Sequence, residues 1–174
     1  EIWTGYRNTI FYAISGTIIS LCLTLTMAYA LSFKDLPGKK HVTVLMTIPM
    51  FFGGGLIPTY LVMKQLGFIN TIWVQIIPGA VSLMNVVIVR TFIQTSIPWE
   101  LREASLIDGC SVGRCFISII LPLSKPIIAV MALYSIVGQW NSYFQAMIYI
   151  TNRKMFPLQL ILREILIQND ITKM

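Results

Sequence analysis

Two groups of polar residues interrupt an otherwise apolar chain, and their types and spacing bound the chemistry available to it. The first is Glu103-Ala104-Ser105-Leu106-Ile107-Asp108-Gly109, followed after nine residues by Ile119-Ile120-Leu121-Pro122. It forms a polar hinge between long apolar segments. Pro98 suits the first turn of a short helix, where its missing N–H costs nothing. Glu100 sits at the positive end of that helix dipole, and Glu103 follows one turn later on the same face. Asp108-Gly109 ends the helix, because Gly tolerates the left-handed conformation of a helix stop. Ser111 can then cap a second short piece running through Phe116. The spacing predicts a helix-turn-helix knob over residues 98–120. A rigid knob transmits force where a flexible loop absorbs it. Chemistry alone leaves open an amphipathic surface hairpin with no partner.

The second group lies in the apolar stretch after residue 125. At 100° per residue, Tyr134, Ser135, Gly138, Gln139, Asn141, Ser142, Gln145 and Tyr149 share an arc of about 160°. Leu133, Val137, Trp140, Phe144 and Met147 take the opposite face. In an earlier stretch Gln75, Pro78, Gly79, Ser82 and Asn85 also share a face. Uncharged amides and hydroxyls within a membrane must find partners or water. Interhelical hydrogen bonding and a hydrated pathway for a neutral polar solute both fit. The candidate pathway residues are Gln139, Asn141, Ser142, Gln145 and Asn85. Neither group offers bond-breaking chemistry. There is no His-Glu-x-x-His and no carboxylate pair inside an apolar stretch. His41 is the single histidine, at a basic edge. Cys22, Cys110 and Cys115 have no metal-ligand spacing and read as reduced. No catalytic or metal-ligating residue is assigned.

The elements that must position these groups are membrane spans. The 174 residues are 56% hydrophobic and 11% charged, with a mean hydropathy of +0.74. A soluble domain carries about twice that charged fraction. The net charge of +6 is that of basic residues flanking membrane spans, not of a nucleic-acid binder. About 20 apolar residues cross a bilayer core. Four stretches qualify: helix A near Thr9–Phe33, helix B near Val42–Met63, helix C near Ile72–Ile93 and helix D near Pro126–Ile150. Short helical pieces are expected between Pro98 and Ile120. Pro49, Gly53-Gly54-Gly55 and Pro58 break helix B. Gly16, Ser20 and Thr24 form a small-residue stripe on helix A that lets another helix approach. The chain opens on Glu1 rather than Met and reads as a fragment at both ends.

The hinge resembles the EAA loop of ABC importer permeases: EAA, three residues, Gly, nine residues, Ile, one residue, Leu-Pro. Every spacing fits, and only the second Ala is replaced, by Ser105, which is small enough for the same packing. The likeness extends over nearly all of the chain. It includes Thr26-Met27-Ala28-Tyr29-Ala30-Leu31-Ser32, Phe52 through Tyr60, Leu66 through Thr71, Leu121 through Pro126, and Trp140-Asn141-Ser142-Tyr143-Phe144. These stretches look like carbohydrate importer permeases, particularly the LplC-type oligosaccharide permeases, relatives of the maltose permease subunits. The resemblance implies an all-α, polytopic transmembrane bundle, one permease domain over residues 1–174 truncated at both ends. Helices A to D would be the second to fifth of six spans. It implies that Glu103, Ala104, Ser105, Asp108, Gly109, Ile119, Leu121 and Pro122 couple the chain to an ATPase. It also implies a second permease subunit, two ATP-binding subunits and an extracellular solute-binding lipoprotein. ATP and Mg would sit on the partner subunits, and none would be bound by this chain. The partners are these proteins and membrane lipid, not nucleic acid.

Orientation does not follow from charge. The A–B turn (Lys34, Lys39, Lys40) and the C–D segment (Arg90, Arg102, Arg114, Lys125) together hold seven basic residues, against six on the other side. The EAA resemblance decides for a cytoplasmic knob in a multi-pass protein of the cell membrane. The leading reading is a sugar importer subunit. The others are an importer of another solute (amino acid, phosphate or metal) and a membrane-embedded enzyme.

Overall fold

The computed structural model describes residues 2–33 and 35–172. Lys34 and Lys173 of the charge count, with Glu1 and Met174, lie outside the described residues. Among those residues every regular element is helical. Helix α1, Ile2–Ser32, is unbroken because it holds no proline and a single charge, Arg7. Helix α2, Lys39–Phe51, and helix α3, Leu56–Gln65, divide helix B where the sequence places its glycines. Gly55 starts α3 at φ +79°, a conformation that costs glycine nothing.

Helix C, expected as one helix over Ile72–Ile93, is two. Helix α4, Trp73–Ile76, stops before Pro78-Gly79, and α5, Leu83–Ser96, starts after an extended Ser82. Pro78 has no N–H to give and Gly79 little reason to stay helical. The knob contains α6, Trp99–Ile107, and α7, Val112–Cys115. A wider π-helical turn, Phe116–Ile120, and α8, Leu121–Leu123, carry the chain onward. Helix D, expected as one helix over Pro126–Ile150, is also two: α9, Lys125–Trp140, and α10, Tyr143–Tyr149. Helix α11, Leu158–Thr172, lies beyond the expected spans.

Among the described residues α1 is the one helix long and apolar enough to cross a membrane alone. Counting α2 with α3 as one bent span, and Val112–Leu123 with α9 as another, raises the number to three.

The chain forms two compact units. The hairpin unit comprises Leu21–Gly53 and Val81–Leu133. Its core is Leu25, Ala28 and Tyr29 from α1, Val86, Val89 and Ile93 from α5, and Cys115, Ile120, Ile127 and Met131. The α1 and α5 sets fall at helical spacing, Leu25 with Ala28 and Tyr29, and Val86 with Val89 and Ile93, so each comes from one apolar helix face. The break unit comprises Glu1–Ser20, Gly54–Ala80 and Tyr134–Met174. Val74, Ala146, Tyr149, Phe156 and Leu160 form its core. Asn70, at φ 60°, accepts the N–H groups of Thr151 and Asn152 at 3.2 and 3.0 Å. Tyr12 donates to the Met155 carbonyl at 3.0 Å, and Asn8 to that of Lys154 at 2.8 Å. The N-terminal half of α1 is thereby fixed to the segment after α10.

Candidate coupling hairpin and candidate pathway

The turn of the hairpin closes by a complete Schellman motif. Gly109 N–H bonds the Leu106 carbonyl at 3.1 Å, and Cys110 N–H that of Ser105 at 2.9 Å. Gly109 lies at φ +77°, where an L side chain is strained. The Ser111 hydroxyl accepts from Arg114 N–H at 3.4 Å and caps α7. The helix that Ser111 starts continues past Phe116 through the π turn to Leu123. It bends there by 81° into α9 at buried Ser124.

One face of α6 is locked and the other is offered. Ser105 is buried, with its hydroxyl donating to the Arg102 carbonyl at 2.8 Å and lying 3.3 Å from Cys115 Sγ. The substitution of the expected alanine therefore adds a bond between the two arms of the hairpin. Glu103, Ala104, Asp108 and Gly109 are exposed, as is Pro122, and Ile119 and Leu121 are half-buried. Ile107 at the tip is 85% exposed. The Glu103 carboxylate accepts from Trp99 Nε1 at 2.7 Å, which fixes its rotamer one turn along the helix.

Sequence reasoning counted Arg102 only as a charge, but it is an organising residue. Its guanidinium is buried over the Phe33 ring at 3.0 Å and the Trp99 ring at 4.6 Å from their centroids. Burial pushes its pKa down, yet a guanidinium stays charged in proteins. The aromatic faces hold the cation in place of a carboxylate. The signal was Trp99 three positions before Arg102, one helical turn away.

The candidate pathway residues are arranged differently. Helix D breaks at Asn141-Ser142 because both side chains turn back on their own helix. Asn141 Nδ2 donates to the Val137 carbonyl at 2.9 Å, and Ser142 Oγ to that of Gln139 at 2.7 Å. Such side chains offer the backbone an alternative to helix. The arc drawn at a constant 100° per residue therefore does not run through the break. Gln139 packs on Gly16, where an added Cβ would lie 2.8 Å from its Nε2. Ser135 reaches Ser20 at 3.1 Å, so the small-residue stripe admits α9. Gln75 is fully buried, and its Nε2 donates to the Ser142 carbonyl at 3.1 Å. The structure thus brings together Gln139, Ser142 and Gln75. Asn141 is exposed and Gln145 half-buried. Asn85 is half-buried on α5 of the hairpin unit. The amide oxygens of Gln75 and Gln139 are buried without a hydrogen-bond partner. On the opposite face Trp140 packs edge-on against Tyr6 at 6.0 Å, and Phe144 is 50% exposed.

The chain as a whole is similar to known proteins. Residues 20–173 match the family described as binding-protein-dependent transport system inner membrane component. Protein LplC of Bacillus subtilis (strain 168) is 44% identical over 94% of this chain and 55% of its own length. The polygalacturonan/rhamnogalacturonan transport system permease protein YtcP of the same organism is 39% identical over 99% of this chain and 62% of its own. A crystal structure of a bacterial ABC transporter involved in import of the acidic polysaccharide alginate superposes with a TM-score of 0.91. It has 32% identity over 94% of this chain and 58% of that one. The chain thus spans 55% and 62% of these two curated relatives.

Proposed function

Because the chain belongs to the family of inner membrane components of binding-protein-dependent transport systems, we propose that it is the permease subunit of an ATP-driven saccharide importer. Four membrane spans carry it, with helices C and D each kinked where the chain leaves the helix. Its hairpin, residues 98–120, lies in the cytoplasm and seats on an ATPase made by other chains. A second permease subunit, a second ATPase and an extracellular binding lipoprotein complete the assembly. Glu103, Ala104, Asp108 and Gly109 form the docking face. Ser105 holds the two arms together, and Ile119, Leu121 and Pro122 carry the motion toward α9.

The observation that carries this reading is the hairpin itself. An exposed apolar tip and a fixed carboxylate stand on a turn closed by two backbone bonds. Surfaces that expose large apolar groups beside oriented charge suit a protein partner. A saccharide cargo is supported by the names of the relatives and by the polar groups at the helix D break. Amides and hydroxyls can exchange hydrogen bonds with sugar hydroxyls. The cores of helices A to D hold no charged residue, which disfavours an ionic solute. The alginate importer tempers that inference, since its cargo is an acidic polysaccharide. The second reading, an importer of an amino acid, phosphate or metal, is not the one these relatives favour, since the named cargoes of YtcP and of the alginate importer are polysaccharides.

The test is reconstitution of the full-length protein with its partner permease, ATPase subunits and binding protein in liposomes. Labelled oligosaccharide should accumulate only with ATP and all subunits present. Accumulation of amino acids or phosphate but of no saccharide would transfer the assignment to the second reading.

A further inference from the structure

Beyond Ser32 the chain turns into α2, and an open groove of about 610 Å³ lies at that corner. It is lined by Gly38, Lys39, Lys40, His41 and Arg90, among others. Arg90 comes from α5, which packs on α2. Four observations make the groove electropositive beyond a count of surface charges. Arg90 Nε is buried without a hydrogen-bond partner. The Arg90 charge bears on Lys39, and among the described residues Asp35 is a nearby carboxylate that partly offsets it. Lys39 Nζ is held by the Phe33 carbonyl at 2.6 Å, which fixes the ammonium without neutralising it. Finally, the 13-residue helix α2 starts here with no side-chain cap and no acidic residue in its first turn. A helix start of this kind presents free N–H groups and positive dipole to an anion.

The position of the groove selects the anion. Helix α1 has 31 residues, about 46 Å at the helical rise, longer than a bilayer core of about 30 Å. Set across a bilayer, a helix of this length would bring its end to the headgroup layer, at the corner where the groove opens. Beside it α2 exposes Val44 and Leu45, the latter 70% exposed, an apolar wall suited to an acyl chain. We propose that this corner binds the phosphate of an anionic phospholipid, with Arg90, Lys40 and the α2 N-terminus as its ligands. The proposal depends on membrane placement and is independent of the saccharide and coupling readings.

The test uses the full-length protein in its complex, delipidated in detergent and titrated with phosphatidylglycerol or phosphatidylcholine under native mass spectrometry. Phosphatidylglycerol should be retained and phosphatidylcholine washed away. Lys40→Gln, an exposed position, should weaken phosphatidylglycerol binding roughly 5-fold, the effect of one cation near a lipid surface. Arg90→Gln should weaken it at least as much, and Arg90→Lys should restore part of the loss. Lys64→Gln, an exposed cation of the break unit, should change nothing. Equal retention of the two lipids, or unchanged affinity in both Lys40→Gln and Arg90→Gln, would overturn the site. Release of the lipid by equimolar inorganic phosphate would overturn its assignment to a lipid headgroup.

Discussion

The hairpin and the break in helix D are both departures from helix, but they are stabilised in opposite ways. The hairpin is held by neighbours in sequence. Its closing bonds join residues no more than five apart, and Ser105 meets Cys115 ten positions on. The break is held from afar, by Gln75 across 67 positions and by the close approach of Gly16. The hairpin's buried Ser105 is hydrogen-bonded, whereas the break leaves two buried amide oxygens unpartnered. A part that transmits force gains from being locally complete. Under the proposed function, the unspent capacity of the break is what a passing polar solute would draw on once the break opens to it.

The largest effects should come from breaking the hairpin. Gly109→Val places a branched side chain at φ +77° and should abolish uptake with the protein still in the membrane. Gly109→Asn should keep part of the activity, because Asn visits that conformation more readily. Glu103→Lys leaves the fold intact, since the residue is exposed, but inverts the charge shown to the ATPase and should also abolish uptake. Normal transport by Gly109→Val and Glu103→Lys, measured at matched membrane abundance, would remove the hairpin from the mechanism.

An intermediate effect is expected at Gln75. Gln75→Leu removes the donor to the part-buried Ser142 carbonyl, together with an amide oxygen that is itself buried without a partner. The cost should be that of one lost bond, about 0.5–1.5 kcal/mol, read as a lower thermal midpoint of the full-length protein in detergent. An unchanged midpoint would show that the break holds itself without the distant amide, and the contrast with the hairpin would fail.

The hairpin was legible because its turns use residues with one conformational meaning: Gly109 for the left-handed stop, Ser111 for the cap. The helix B break was legible for the same reason, in its three consecutive glycines. The breaks in helices C and D were not. A hydropathy window averages over Pro78-Gly79 and Asn141-Ser142, and the partner that stabilises the second break, Gln75, is remote in sequence. Helix periodicity also placed Gln139, Asn141, Ser142 and Gln145 on one arc by extending one helix through a residue where the backbone leaves it. Arg102 was misjudged because stacking on Phe33 needs the end of α1 beside α6, a tertiary fact. Helix α11 lies outside the four apolar stretches because its charged residues dilute the hydropathy, although Leu160 and Ile161 are buried in the core.

The smallest effects belong to the exposed rim of the break. Asn141→Ala and Gln145→Ala each remove one neutral hydrogen-bonding group, a change of roughly 2- to 12-fold in apparent affinity for solute if that group meets it. Kinetics unchanged in both single variants and in the double variant would mean that the break only packs.

The central claim is that the tip of the hairpin touches an ATPase. A photo-crosslinking amino acid at Ile107, the 85% exposed tip residue, tests it in the full-length protein within intact membranes. Irradiation should join this chain to the ATP-binding subunit, with the yield falling in a Glu103→Lys background. Adducts only to lipid or to the extracellular binding protein would contradict the account.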